Sequence, residues 1–430
     1  MQKNAGFSGS LPENRGISHA VDFRIDSLWG GHTVLPMNLA KNKFAAPNSE
    51  GCMDLAKKSP PLQYSIATSW SDSLLRELVS LNQAHCRARF SEVYGAHRTS
   101  ITGHGRPAYR LPQVEPEAFE RHVSCARQLG LRFNYVMNAP GFGGREQDPG
   151  WLREVSNFLE YLSGCGVSGV TIAHPFLLQF VKREFSGFRL NVSLIAGVDT
   201  VAAARKFEDF GVDVINLNPF TINRDFDSLR AIRRAVRCEL ELYANIPCLD
   251  HCPRRVAHYE YSGRASQEAG GPEVKQDPFL MRCSHTFLSE PVEFLRSPFI
   301  RPEDVSAYQE AGMDIIKLSD RTESTEFLLG TARAYAAEKY DGNLFGLIFR
   351  GGRKIRSGLG LLPSGPAIRE IPVVIRNQIL DELGFIDQIK KLRGADLAEF
   401  YRTAAARAVE LADPKAIDEW RGMLQRRLAA

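Results

Sequence analysis

The sequence predicts an α/β chain built as a TIM-like (β/α)8 barrel. Short apolar runs alternate with helical stretches from about residue 62 onward, and the helical stretches tend to close on a glycine just before the next run. The runs number eight, the complement of a closed barrel. An open doubly wound sheet would show the same alternation, so the count decides between them. The chain has 430 residues, 43% of them hydrophobic and 24% charged, enough for one large barrel or for roughly two to three ordinary domains.

Residues 1–60 are rich in Gly, Asn, Ser and Pro and carry no sustained period. They read as a disordered or docked N-terminal arm, with Trp29 and the apolar run 34–37 as a docking point. The barrel takes 61–340. Strands are expected over 64–67, 91–94, 132–137, 169–172, 191–195, 213–216, 240–244 and 314–318. Helices are expected over 71–81 with Ser71 or Asp72 as cap, 115–129 closed by Gly130, 151–163, 176–184, 201–210 closed by Gly211, and 227–238. Pro302, Glu303 and Asp304 open a further helix, since proline suits the first helical position and acids favour the N-terminus. After about 338 the rhythm stops. Residues 341–430 read as a mainly helical C-terminal extension that includes a basic, glycine-rich loop with Arg353, Lys354 and Arg356.

The formal charge of +4 permits an anionic substrate or RNA without arguing for either. The first thirty residues have no apolar core of the secretory kind, and no run of eighteen apolar residues occurs, so neither a leader nor a membrane span is expected. A cytoplasmic setting follows, in which the eight cysteines are expected as thiols or ligands rather than disulfides.

Barrel geometry sorts those cysteines, because chemistry sits at the C-terminal ends of the strands. Cys86, Cys165 and Cys238 each precede a strand and Cys125 lies in a helix, so these four read as small buried hydrophobes. Cys248, Cys252 and Cys283 all fall in the connection after the seventh strand, where the segment 241–255 breaks at Pro247. Thiolates select zinc or an iron–sulfur cluster, and three on one face form a candidate ligand set. The fourth ligand stays open. Cys52 on the arm, His97 or His104 after the second strand, the local His251, His258 and His285, or an exchangeable substrate would each serve.

Other residues are expected at the same mouth. Asn138 ends the third strand, His174 follows the fourth, Asn216 and Asn218 end the sixth, and Lys317 and Arg321 lie at and just past the end of the eighth. Amide, imidazole and cationic groups together suit a small carboxylated substrate, since arginine grips a carboxylate bidentately. Each asparagine could equally cap nearby backbone. Arg301 and Arg321 could instead pair internally with Asp304 or Asp320.

The run Asn245-x-Pro247-Cys248-x3-Cys252-Pro253-x-Arg255, the later Cys283, the segment Phe299-Ile300-Arg301-Pro302-Glu303-Asp304 and the segment from Gly312 through Lys317 to Arg321 together resemble the collagenase-like peptidase family U32. Further matches are Val93-Tyr94-Gly95, the segment 133–139 and the segment 222–226, so the resemblance covers about 62–345. Relatives in that family include UbiU and UbiV of oxygen-independent ubiquinone hydroxylation, and others that hydroxylate transfer or ribosomal RNA. The resemblance implies a barrel-like fold, a 4Fe–4S cluster on cysteines (zinc being the alternative from thiol chemistry) and hydroxylation without molecular oxygen, with prephenate as the proposed donor. The C-x3-C spacing is similar to the UbiV arrangement, but UbiV-like proteins carry a further cysteine after an early strand, where this chain has Ala96-His97-Arg98.

The expected function is therefore an iron–sulfur enzyme that modifies a small molecule or RNA base. Cys248, Cys252 and Cys283 would hold the cluster, and Lys317, Arg321 and Arg301 an anionic donor, with Asn216 beside it. Asn138 and His174 are the remaining candidates for chemistry. The alternatives are a cluster-binding partner subunit paired with a related barrel protein, and a peptidase. No hydrolytic triad and no His-Glu-x-x-His motif is evident in the sequence.

Overall fold

The computed structural model describes residues 61–267, 277–352 and 371–429. The arm with Cys52 and the loop with Arg353, Lys354 and Arg356 lie outside these residues. Eight parallel strands close into a barrel in sequence order: β1 (Leu62–Ala67), β2 (Ala88–Gly95), β3 (Arg132–Met137), β4 (Gly169–Ile172), β5 (Arg189–Val192), β6 (Val214–Asn216), β7 (Glu239–Tyr243) and β8 (Ile315–Leu318), which pairs back onto β1. The fold expectation is met. Helices α1 (Asp72–Ala84), α2 (Pro116–Gln128), α3 (Pro149–Gly164), α4 (Pro175–Glu184), α5 (Val201–Asp209), the single turn α6 (Pro219–Ile222) and α7 (Phe226–Ala235) follow the first six strands. Proline at the first position of α2, α3 and α4 and the side-chain caps Asp148, Thr200 and Asp225 account for where several of them begin.

The segment after β7 departs from expectation. Instead of a loop it forms α8 (Arg255–Arg264), α9 (Pro278–Ser289) and α10 (Val292–Arg296), so Cys283 sits on a helix. Asp277 caps α9 by accepting from the Phe279 and Leu280 amides at 3.0 Å. Next come α11 (Val305–Glu310), β8, α12 (Thr325–Ala336) and α13 (Leu344–Phe349), and then an extension of β9 (Val373–Ile375), α14 (Asn377–Glu382), α15 (Phe385–Lys391), α16 (Gly394–Ala408), β10 (Val409–Leu411) and α17 (Pro414–Ala429). The antiparallel pair β9–β10 was not anticipated. The extension shares the barrel's core: Phe385 stacks on Phe299, and Arg421 of α17 donates to the Leu288 carbonyl of α9.

Outward-facing strand residues pack beneath the helices; Tyr64, for example, donates to the Tyr335 carbonyl on α12. Each such fully buried large side chain contributes roughly 1.5–3 kcal/mol. The interior is different, because every strand supplies one buried polar residue: Ser65, Glu92, Asn134, Thr171, Asn191, Asn216, Glu241 and Lys317. Neighbouring members bond to one another. Ser65 donates to Glu92 at 2.8 Å, Thr171 to Asn134 at 2.6 Å, and Asn216 and Lys317 to Glu241 at 2.6 and 3.1 Å. A TIM barrel usually fills this space with branched apolar side chains, so a polar ring here sets the floor of the mouth above it.

Candidate functional site

At the C-terminal ends of the strands lies a cavity of about 110 Å³. Asn245, just after β7, ties one side of its rim together. Its amide accepts from the Ser319 amide at 2.7 Å and donates to the Ser319 carbonyl at 3.0 Å, pinning the cysteine-bearing connection to the end of β8. Cys248, Cys252 and Cys283 all line this one cavity. Arg255, on the first turn of α8, carries its guanidinium 3.7 Å above the Phe220 ring. Burial pushes Arg255 down, against Tyr259, Cys248 and Cys252, which pull it up, so both thiols lie within the field of one cation. Tyr259 is pushed up by burial and by Cys248.

The other lining charges are lopsided. Arg106, Arg110, Arg254, Arg255, Arg282, Lys317, Arg321 and Arg350 face the cavity against a single acid, Asp320. Burial would raise Asp320, but Arg106, Arg350 and Arg110 outweigh it and hold the carboxyl well below the usual carboxylate range. Arg106 reaches both carboxylate oxygens from Nε, at 3.1 and 3.2 Å. Arg350 is 3.5 Å from Glu323 and donates to Ser319 Oγ. Arg321, only 7% exposed, is left over: its Nη1 has no partner among the described residues. Burial and the neighbouring Arg106 push its pKa down. A buried cation in that position is costly until an anion meets it.

Lys317 lines the cavity but is not spare. It lies 3.1 Å from Glu241, with both side chains almost fully buried, and 4.4 Å from the centre of the Tyr94 ring. Burial would lower the Lys317 ammonium, yet Glu241 holds it above its ordinary value; burial pushes Glu241 itself up, against the pull of Lys317. Asn216 lines the cavity and spends its amide N–H on Glu241, while its Oδ1 finds no partner among the described residues. Asn138 also lines the cavity, but its amide accepts from Gly105 at 2.9 Å and donates to Ser193 at 2.8 Å, which is a positioning arrangement. Asn218 caps α6.

Six expected residues stand elsewhere. Arg301 binds Asp304 through Nε and Nη2 at 2.8 and 2.7 Å and reaches Asn377 and Asp381 at 3.1 and 2.7 Å, so it fastens the extension and does not line the cavity. The proximity of Asp304, Asn377 and Asp381 overrides a substrate role. His174 precedes α4 and packs its ring 4.9 Å from Phe142, away from the cavity lining. His97 sits in an aromatic cluster, its ring 4.6 Å from Phe119 and its Nδ1 3.0 Å from the Tyr135 hydroxyl. His104 is enclosed, with Nε2 on the His97 carbonyl. Neither lines the cavity, and neither do His251 and His285. Cys125, Cys165 and Cys238 are partly buried thiols; burial and Glu208 push Cys238 up to about 12, which makes it unreactive. Cys86 is disulfide-bonded, contrary to the expectation for the whole set.

Residues not foreseen include Arg106 and Arg110, Glu241, Asp320, Arg350 and a His258–Asp277 pair. Arg106 and Arg110 come from the connection between β2 and α2, long for a βα loop, and that length was the available signal. His258 Nε2 lies 3.0 Å from Asp277, whose side chain is fully buried, and His258 lines the cavity. Among the described residues no group of three or more His, Cys, Asp or Glu is arranged to hold a single metal ion. The three thiols share one cavity.

Fold and mouth together define a (β/α)8-barrel protein with a cationic, cysteine-lined cavity. No family model matches the chain. It is 32% identical over 248 residues to an uncharacterized protease of Methanocaldococcus jannaschii, covering 58% of this chain and 72% of the relative. The chain belongs to peptidase family U32. Among solved structures, it matches the U32 peptidase Mk0906 with 22% identity and a TM-score of 0.43 over 61% of this chain and 94% of that one. FabK of Thermotoga maritima matches with 9% identity and a TM-score of 0.30, over 63% of this chain and 61% of that one. In the described residues no helix is long and apolar enough to cross a membrane.

Proposed function

We propose that this chain is an iron–sulfur enzyme of the U32 family that hydroxylates, or otherwise modifies, a small molecule or RNA base without molecular oxygen, using an anionic co-substrate such as prephenate. One observation carries the reading: three thiols and a buried guanidinium whose Nη1 has no hydrogen-bond partner among the described residues line the same cavity. Cys248, Cys252 and Cys283 would hold a 4Fe–4S cluster, which supplies one-electron transfer when bound. Three thiols on one cavity supply the soft donors that such a cluster takes, with zinc as the alternative.

The residues around them divide the remaining work. Arg321 would take a carboxylate through Nη1, a buried donor without a hydrogen-bond partner among the described residues; Arg255 Nη2 on the same cavity is another. Arg106, locked on Asp320, shapes the site and adds little net charge. Lys317 is neutralised by Glu241 and orients the floor. Asn216 Oδ1 would accept a hydroxyl or N–H from the bound molecule. Phe220, Leu249 and Phe279 line the wall and limit water.

Anaerobic purification with iron, sulfide and spectral analysis tests the proposal on the full chain and on Cys283→Ala. The expected result is a brown protein with matching iron and sulfide, and loss of much of both in the variant. A colourless protein holding only zinc, or no metal, would sink it. Cluster binding combined with inactivity alone and co-purification of a related barrel protein would favour the supporting-subunit role.

A further inference from the structure

We infer that His258 is the fourth protein ligand of the cluster, oriented by Asp277, giving a three-cysteine, one-histidine set; this rests on the cluster reading above. Of the histidines in the described residues, His258 is the one that lines the cavity shared by Cys248, Cys252 and Cys283. His97 and His104 are held behind the mouth by Tyr135 and by the His97 carbonyl, and His251 and His285 lie off the lining.

Local geometry brings His258 to the thiols. It lies one turn into α8, the helix that starts three residues after Cys252. Its ring stacks on Phe279 with centroids 5.1 Å apart and planes 15° from parallel. Phe279 and Cys283 are four residues apart on α9 and both line the cavity, so the ring that His258 stacks on is a one-turn helical neighbour of the third thiol. The next residue, Tyr259, and Cys248 pack against the same cluster of Phe220, Tyr243 and Ile246, which brings this stretch of α8 to the first thiol.

The imidazole is also prepared as a ligand. A metal-bound histidine characteristically gives its second ring nitrogen to a carboxylate, which fixes the tautomer and raises the basicity of the ligating nitrogen. Here Nε2 is 3.0 Å from Asp277 Oδ2, and Asp277 is itself immobilised by the Phe279 and Leu280 amides on Oδ1. That leaves Nδ1 as the ligating atom. A caged carboxylate of this kind is a large commitment for a histidine that merely packs on α9, since the α9 cap needs Asp277 alone.

Histidine in place of cysteine raises a cluster's reduction potential, and its nitrogen couples magnetically to the reduced cluster. The test is pulsed electron paramagnetic resonance on the anaerobically purified, dithionite-reduced full chain, made with 15N-histidine. The expected spectrum shows a 15N coupling in the unmodified chain that is absent from His258→Ala and His258→Cys. In His258→Cys the iron content is retained and the reduction potential falls. Asp277→Asn, which keeps the helix cap, retains the coupling but shifts the potential. Cys52→Ala leaves spectrum and iron content unchanged. A fully loaded cluster with no histidine coupling, a coupling that survives in His258→Ala, or loss of iron in Cys52→Ala would overturn this assignment alone. A chain that takes up no iron and sulfide would overturn it together with the cluster reading.

Discussion

Replacing Lys317 with methionine would leave the Glu241 carboxylate inside the barrel with only the Asn216 amide as a donor. The two side chains are 1% and 4% exposed and 3.1 Å apart, so little water can take over from the ammonium. Breaking a buried pair by removing one partner costs about 3–5 kcal/mol, chiefly the price of the stranded charge. For a chain of this size that corresponds to a fall in Tm on the order of 5 °C. Adding Glu241→Gln removes the charge yet keeps an acceptor for Asn216, so the double variant should recover most of the loss, a coupling of about 2–3 kcal/mol. The pH dependence has a fixed sign. Glu241 is already pushed up by burial, and without Lys317 it protonates more readily, so the deficit of Lys317→Met shrinks as pH falls from 8 to 5.5. In the unmodified chain Lys317 is held above its ordinary value. Its contribution is therefore full below the unfolded lysine value, about 10.4, and lost as pH rises through the folded value. Urea unfolding of the single and double variants at both pH values measures all of this. A cost for Lys317→Met below about 1 kcal/mol at pH 8, or a double variant no better than the sum of the singles, would refute the reasoning.

Arg321→Gln should change stability by no more than about 1 kcal/mol, since burial and Arg106 disfavour the charge, Asp320 only partly offsets them, and Nη1 has no hydrogen-bond partner among the described residues. The same change should abolish the thermal stabilisation that malonate gives the unmodified chain, read by differential scanning fluorimetry across a malonate titration. Arg301→Gln should do the reverse: a loss of about 3 kcal/mol in urea unfolding, because Asp304 and Asp381 lose their shared partner, with the malonate response intact. Burial would raise Asp277, but His258 and the Leu280 amide outweigh it and hold its carboxyl below the ordinary value. Its contribution is thus present above the unfolded value, about 3.9, and lost as pH falls through the folded one. Asp277→Asn should flatten that acid-side slope in pH-dependent melting, and an unchanged slope would assign it to other carboxylates.

The comparison between chain and structure turns on range. Strand positions were legible because an apolar run of four to six residues, ended by Gly or Pro, is a local signal; 132–137 and 169–172 match β3 and β4 to the residue. The family motifs around Cys248 and Arg321 were legible for the same reason. Helices α8 to α10 were missed because α8 mixes charged, aromatic and small residues without an apolar stripe, so its period is weak.

What the sequence determined by itself was the count of strands, their order, and the placing of Cys248, Cys252 and Cys283 after the seventh. Which charges are spent and which are spare was decided only by tertiary structure. Lys317 and Glu241 are 76 residues apart, and Arg301 and Asp381 are 80 apart, yet these pairings occupy Lys317 and Arg301 while Arg321 keeps an Nη1 without a hydrogen-bond partner among the described residues. Barrel closure brings those residues together, and periodicity carries no record of it. The His258–Asp277 pair is of the same kind: it forms only when α8 and α9 lie side by side.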